Sequence, residues 1–231
     1  MFNIQKYYIC VTVVIIAFTS LSVKADYEVG LTAYKNKNYS KAFKEWMPLA
    51  QSGNTDAQVS IGKLYFSGRG VQKSIGQAII WYDLAAKKNN STGQFLLGKI
   101  YSEGVGVPID TDQAHKLYQR AAKQGHSEAQ FHLGVILFKG EIVERNYEKA
   151  SQMYKSAAEQ GLMVAQTNLA GMYALGLGLD RDLVLAYSWF TMAIKQGSKR
   201  AQENRDFMAD RMTETQIKQA TLLVENWTNQ N

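Results

Sequence analysis

The sequence predicts an all-α solenoid, on three observations. Small residues recur at Ala57, Gly93, Ala129, Ala165 and Ala201, a constant step of 36 residues. Three more series keep the step: Gly53, Asn89, Gly125, Gly161, Gly197; Gly68, Gly104, Gly140, Gly176; and Ala42, Ala78, Ala114, Ala150, Ala186. A fixed period between roughly 20 and 50 residues marks stacked units that bury their cores against one another. Proline is nearly absent, with only Pro48 and Pro108 in 231 residues, which suits a chain that is mostly helix. Within each period, two segments place apolar residues at helical spacing on either side of a glycine-rich turn.

Composition bounds the function. With 46% hydrophobic residues the chain can build a sizeable core. Its formal charge of +6 includes Lys6 and Lys24 near the start; setting them aside leaves 24 basic against 20 acidic residues, interspersed rather than run together. That is a solvated surface, not a nucleic-acid stripe. Residues 1–25 read as a signal peptide. Lys6 precedes an apolar run from Tyr7 to Leu21, and Val23-Lys24-Ala25 places a small residue at the cleavage point, after Ala25. The run is short of the ~20 residues a spanning helix needs; an uncleaved anchor is the alternative. The only cysteine, Cys10, lies in this leader without a lipobox before it. A mature chain without cysteine has no disulfide, thiol chemistry or cysteine metal site, and depends on packing alone.

Taken in order, residues 26–56 read as a first helical hairpin turning at Asn36-Lys37-Asn38, with Ala42, Phe43, Trp46, Leu49 and Ala50 on the buried face of its second helix and Pro48 in its last turn. Four units follow, 57–92, 93–128, 129–164 and 165–200. The first helix of each carries a small residue in mid-helix: Gly62, Gly98, Gly134 and Ala170. A mid-helix glycine costs ~1 kcal/mol relative to alanine, so three in phase imply that the second helix crosses too closely there for a side chain. Three residues on, Tyr65, Tyr101, Leu137 and Tyr173 pack between helices. Gly68, Gly104, Gly140 and Gly176 are the expected left-handed stops, and Val71, Val107, Val143 and Leu179 plug the gap under each loop. The second helices carry Ala78, Ala114, Ala150 or Ala186 with an aromatic four residues on: Tyr82, Tyr118, Tyr154 or Phe190. Past Ala201 one more first-type helix runs from Gln202 to Arg211. Thr213 and Gln216 then form a capping box for a final helix that closes the open end, so 201–231 is a cap.

The unit Ala-Gln-x-x-Leu-Gly-x-x-Tyr-x-x-Gly-x-Gly-Val, then Ala-x-x-x-Tyr-x-x-Ala-Ala-x-x-Gly, resembles the Sel-1-like repeat, most closely at Gly93–Gly125 and Ala129–Gly161. This family is related to tetratricopeptide repeats, with a longer loop, and the Gly30–Ala42 spacing of the first hairpin is similar to the tetratricopeptide form. The resemblance implies a right-handed solenoid and an adaptor that binds proteins or peptides in a curved groove. It also covers bacterial envelope and secreted proteins, and cysteine-rich relatives with beta-lactamase annotations, from which this chain departs in its cysteine content. Repeat three departs as well, with Ile142 where the others have Gly70, Gly106 and Gly178. A β-branched residue tolerates positive φ poorly, so either that loop differs or the position needs no positive φ.

Residues for catalysis do not converge. His115, His126 and His132 lack the i, i+4 histidine partner of a zinc helix, and the Gly-x-Gly loops lack the lysine of a phosphate loop and follow helices. No catalytic residue, metal or cofactor is expected. The groove then carries function. By analogy with the tetratricopeptide groove, four offsets from the mid-helix small residue give Val59, Lys63, Phe66, Ser67; Phe95, Lys99, Ser102, Glu103; Phe131, Val135, Phe138, Lys139; and Thr167, Gly171, Ala174, Leu175. The first hairpin adds Tyr27, Leu31, Tyr34 and Lys35. The partner-binding candidates are Lys63, Phe66, Phe95, Lys99, Phe131, Phe138 and Lys139. Aromatics flanked by lysines suit a peptide with apolar anchors and some acidic residues; the competing reading puts Phe95 and Phe131 in the core.

The expectation is therefore a monomeric, exported, periplasmic or secreted scaffold that binds a protein or peptide. It binds no nucleic acid and no small-molecule cofactor, and meets a membrane only through an uncleaved leader or a partner. A beta-lactamase-like hydrolase and a structural or motor-associated envelope component are the alternatives.

Overall fold

The computed structural model describes residues 26–229; the expected leader, its cleavage point at Ala25 and Cys10 lie outside the described residues. The chain divides into two compact units, one through Pro108 and one from Ile109. The first contains α1 (26–35), α2 (Tyr39–Gln51), α3 (Thr55–Ser67), α4 (Ile75–Lys87) and α5 (Ser91–Glu103). The second contains α6 (Thr111–Lys123), α7 (Ser127–Lys139), α8 (Tyr147–Glu159), α9 (Met163–Leu175), α10 (Leu183–Lys195), α11 (Lys199–Ala209) and α12 (Glu214–Asn229). Among the described residues there are twelve helices and no strand. From α2 to α5 in the first unit and from α6 to α11 in the second, each helix packs on the next in sequence, and α12 packs back onto α10. This is the helix-pair stacking of a solenoid.

Short polar side chains start the helices. Asn38, Asn54, Ser74, Asn90, Asp110, Asn146, Asp182 and Ser198 each accept a bond from the backbone N–H three residues on. His126 does the same for α7 through Nδ1, and Leu162 leaves α9 without a side-chain cap. The first helices stop at Gly68, Gly104, Gly140 and Gly176, with φ of 70, 68, 72 and 68°, the left-handed terminators that the spacing predicts. Pro48 is carried inside α2, which continues to Gln51.

The mid-helix glycines meet an aromatic ring rather than a backbone. A Cβ on Gly62 would lie 2.5 Å from Tyr82 Cε1, and one on Gly134 2.8 Å from Cδ1 and Cε1 of Tyr154. In the first hairpin Gly30 stands under Trp46 in the same way. Each ring belongs to the residue four after the alanine of the second helix, so one glycine and one aromatic make one interlocking pair. The alanines Ala42, Ala78, Ala114, Ala150 and Ala186 are fully or almost fully buried, which lets neighbouring helices approach.

A polar rung joins each repeat to the one before. Gln58, Gln94, Gln130 and Gln166 are buried, and their Nε2 atoms donate to the carbonyls of Ala50, Ala86, Ala122 and Ala158 at 3.0, 3.3, 3.4 and 3.2 Å. These carbonyls lie in the last turn of the preceding second helix and each also accepts a backbone N–H three residues on, from Gly53, Asn89, Gly125 and Gly161, so the glutamine amide takes the second lone pair. Gln160 and Gln196 extend the rung by donating to Oε1 of Gln130 and Gln166. In the first repeat the corresponding residue is Lys88, whose ammonium goes to the Gly53 carbonyl instead, and Gln58 Oε1 is left without a protein partner.

The third loop differs from its siblings, and the Ile142 departure is resolved in that sense. Gly70, Gly106 and Gly178 have φ of 72, 75 and 69°, while Ile142 is not in the positive-φ region. Gly70 and Gly178 also press against the first residues of the second helix one repeat earlier, Tyr39-Ser40 and Tyr147-Glu148. Isoleucine can meet neither demand, so its loop takes another course. At the C-terminal end, Thr213 N–H donates to Gln216 Oε1 at 2.9 Å and Gln216 N–H to Thr213 Oγ1 at 3.2 Å, the reciprocal box expected. From α12, Ala220 and Val224 are buried, and Trp227 packs on Trp189 of α10 with centroids 4.6 Å apart and rings tilted by 37°.

Candidate functional site

In the second unit the first-type helices α7, α9 and α11 present one face. A cavity of about 320 Å³ opens on it, lined from α7 by Val135, Phe138 and Lys139, from α9 by Thr167, Asn168, Gly171, Met172 and Leu175, and from α11 by Arg200 and Asn204, with Leu177 and Tyr154 closing the remainder. The Tyr154 hydroxyl shares a hydrogen bond with Asn168, and burial pushes its pKa up to about 12, so it is a neutral phenol at physiological pH. Leu175 is 71% exposed, and Phe207, one turn along α11 from Asn204, is 66% exposed with the Arg211 guanidinium 3.9 Å over its ring. Single exposed apolar side chains are ordinary on a protein surface; these two stand beside one cavity, and apolar exposure is informative where it gathers in one place.

Of the positions chosen from sequence in this unit, the cavity brings together Val135, Phe138, Lys139, Thr167, Gly171 and Leu175. Phe131 lies outside it: half-buried, its ring meets His132 at 5.4 Å and Tyr154 at 5.9 Å. Phe138 also leans on Tyr147 at 5.2 Å. Asn168, Asn204, Arg200, Met172, Leu177 and Phe207 escaped the sequence reading. A signal exists, because Asn168 and Asn204 stand one period apart and Phe207 one period after Gly171, but Asn168 lies two residues before Ala170, an offset outside the four, and the four repeats are bounded at residue 200.

The first unit is described separately. On its first-helix face Lys63 is exposed, Phe66 is 37% exposed, Phe95 is half-buried, and Lys99 is exposed, 3.8 Å from Glu103. Val59 is buried. The aromatics assigned to the face from the first hairpin serve the core: Tyr27 and Tyr34 lie 5.5 and 5.7 Å from the Trp46 ring, and Tyr27 bonds Ser60 Oγ at 2.9 Å. A crevice in this unit, lined by Phe43, Tyr65, Val71 and Gln77 among others, includes none of Lys63, Phe66, Phe95 and Lys99.

The histidines act in packing and capping. His126 caps α7, His132 stacks on Tyr118 at 5.0 Å, and His115, whose pKa burial lowers, lines a separate crevice of about 570 Å³ between α6 and α8. Among the described residues no three His, Asp or Glu side chains are placed to hold a metal ion, and no helix is long and apolar enough to cross a membrane.

Known proteins carry the same architecture. Residues 55–90, 91–126, 127–162 and 164–198 each match the Sel1 repeat. A Sel1 repeat protein from Oxalobacter formigenes superposes with a TM-score of 0.71 at 32% identity, over 78% of this chain and 73% of that one. A protective antigen of uropathogenic Escherichia coli with an SLR fold gives 0.55 at 29% identity over 83% of this chain; the alignment spans 49% of the antigen. A Sel1 repeat protein from Klebsiella pneumoniae gives 0.53 at 22% identity, over 81% of this chain and 93% of that one, a likeness of fold alone. No curated protein matches the chain. Sel1-repeat proteins are in general non-catalytic scaffolds for protein interaction. With four consecutive repeats matched over most of its length, this chain belongs to the Sel1 repeat family.

Proposed function

We propose that the protein is a non-catalytic adaptor of the cell envelope, exported through residues 1–25, which binds a segment of a partner protein on its first-helix faces. The observation that carries this reading is the cavity between α7, α9 and α11, with Leu175 and Phe207 standing in solvent beside it. A preformed pocket with apolar anchors costs little ordering on binding, which is how a rigid scaffold gains affinity. The envelope location rests on the leader pattern.

Two experiments test it. Mass spectrometry of the protein recovered from cells reads export: loss of residues 1–25 is expected, and an intact cytoplasmic N-terminus refutes the location. Affinity capture compares the chain with a Leu175→Arg/Phe207→Ser variant, which changes exposed positions and leaves the core intact. A partner held by the parent and released by the variant supports the reading; a partner held equally by both places binding elsewhere on the molecule.

A further inference from the structure

Gly171 has no structural reason to be glycine. It lies inside α9 with helical backbone, and a Cβ built on it would meet nothing within 4 Å. Gly62 and Gly134 are glycines because a tyrosine ring occupies the space; at Gly171 the space is empty, and it forms part of the cavity. Glycine is the weakest helix former after proline, so this choice weakens α9 and leaves room on the face that solvent and a ligand can reach. The corresponding residues in the other repeats are Lys63, Lys99, Val135 and Phe207, each of which would fill that room.

Charge around the cavity has one sign. Lys139 and Arg200 contribute to the lining and no carboxylate does. Lys139 is the last residue of α7 and Arg200 the second of α11. Successive first helices run the same way, so the two cations stand at opposite edges of the face, with Val135, Gly171 and Met172 between them. The Asn168 and Asn204 amides add donors in the middle. Lys139 is 3.6 Å from Glu141, but both side chains are more than half exposed, and such a pair exchanges readily for another carboxylate. Glu203 is the acid on the same helix face, outside the cavity.

We propose that the occupant is an extended segment of a partner protein in which an aliphatic or aromatic side chain enters the space left open by Gly171, between two acidic residues that meet Lys139 and Arg200. This rests on the protein-binding reading and specifies its ligand. The cavity, near the lower end of the size range of ligand pockets, holds one or two side chains rather than a helix.

The test is selection of a phage-displayed library of random seven-residue peptides on the full chain. The expected result is enrichment of sequences with one large apolar residue between Asp or Glu. Their affinity falls more than about tenfold on Gly171→Leu, as filling an apolar subsite does, and about three- to tenfold on Lys139→Glu or Arg200→Glu, with strong salt dependence. Glu203→Lys strengthens binding. Thermal unfolding by circular dichroism checks each variant, and Gly171→Ala serves as a folded reference; were Gly171→Leu unstable, the exposed charge variants decide. Enriched peptides without acids, or equal binding to parent and Gly171→Leu, overturn the assignment. Peptides lost only on Phe66→Ala would overturn it while leaving the adaptor reading intact, and no enrichment at all would sink both.

Discussion

The same substitution should have opposite signs at two glycines of the second unit. At Gly134 an added Cβ lies 2.8 Å from two Tyr154 carbons, and the ring is buried, 3% exposed. Carbon pairs prefer about 3.5–4.0 Å, so the ring must retreat by about 0.7–1 Å in a packed core, an overpacking cost of roughly 1–3 kcal/mol. Alanine returns about 1 kcal/mol of helix propensity. Gly134→Ala should therefore lose about 2 kcal/mol at the upper end of that range, and approach neutrality at the lower end. Gly171→Ala has the propensity gain and no clash, so it should gain up to about 1 kcal/mol. For a chain of this size each kcal/mol moves Tm by roughly 2–4 °C. Thermal melts followed at 222 nm compare the three proteins, with Gly134→Ala/Tyr154→Leu as a control in which the alanine penalty should disappear. Gly134→Ala more stable than the parent, or Gly171→Ala less stable, would refute the claim that rings, rather than chain geometry, select these glycines.

Other outcomes follow from single contacts. Asn90 caps α5 and also donates from Nδ2 to Asp56 at 2.9 Å, so Asn90→Ala should cost about 1 kcal/mol in a urea titration, with an unchanged m value. Gln166→Leu removes one of two donors to the Ala158 carbonyl, which keeps the Gly161 N–H, and returns the exposed Gln196 amide to water; a loss of roughly 0.5–1.5 kcal/mol is expected, measurable as earlier hydrogen exchange at the end of α8. The Tyr154 phenol, raised from 10.0 to about 12 mainly by burial, holds its proton longer in the folded state than in the unfolded one. Its contribution is complete below pH 10 and falls away between about pH 10 and 12. Tyr154→Phe should flatten the alkaline limb of stability against pH, and an unchanged limb would exclude this residue as its source.

Much of this architecture is legible in the sequence, because it repeats. A capping asparagine or a terminal glycine is ambiguous once; at Gly68, Gly104, Gly140 and Gly176 the period removes the ambiguity. Polarity misled more than it helped. The buried glutamines look like surface residues in sequence, since only the geometry reveals the carbonyl of the preceding helix that their amides reach. Tyr27 and Tyr34 were placed on the binding face by register, yet the bulk of Trp46 draws both onto its ring. The cavity was half visible. Gly171, Phe138 and Lys139 stand at the chosen offsets; Asn168 and Asn204 keep the period but at an offset not among them, and Arg200 corresponds to Glu128 and Val164, so no repeating charge marks it.

The glutamine rung has a consequence for how such a chain can change in length. Its donor lies in one repeat and its acceptor in the last turn of the repeat before, and the acceptor is a backbone atom, so it is present whatever the sequence there. Removing or duplicating 36 residues at any cut within one phase rejoins a glutamine to an equivalent carbonyl. No partner residue has to co-evolve at the new junction. The helix that packs Trp227 on Trp189 has no such freedom, because its match is to particular side chains of α10. Recombination can thus vary the number of interior repeats cheaply while the closing helix and the repeat beneath it are inherited together.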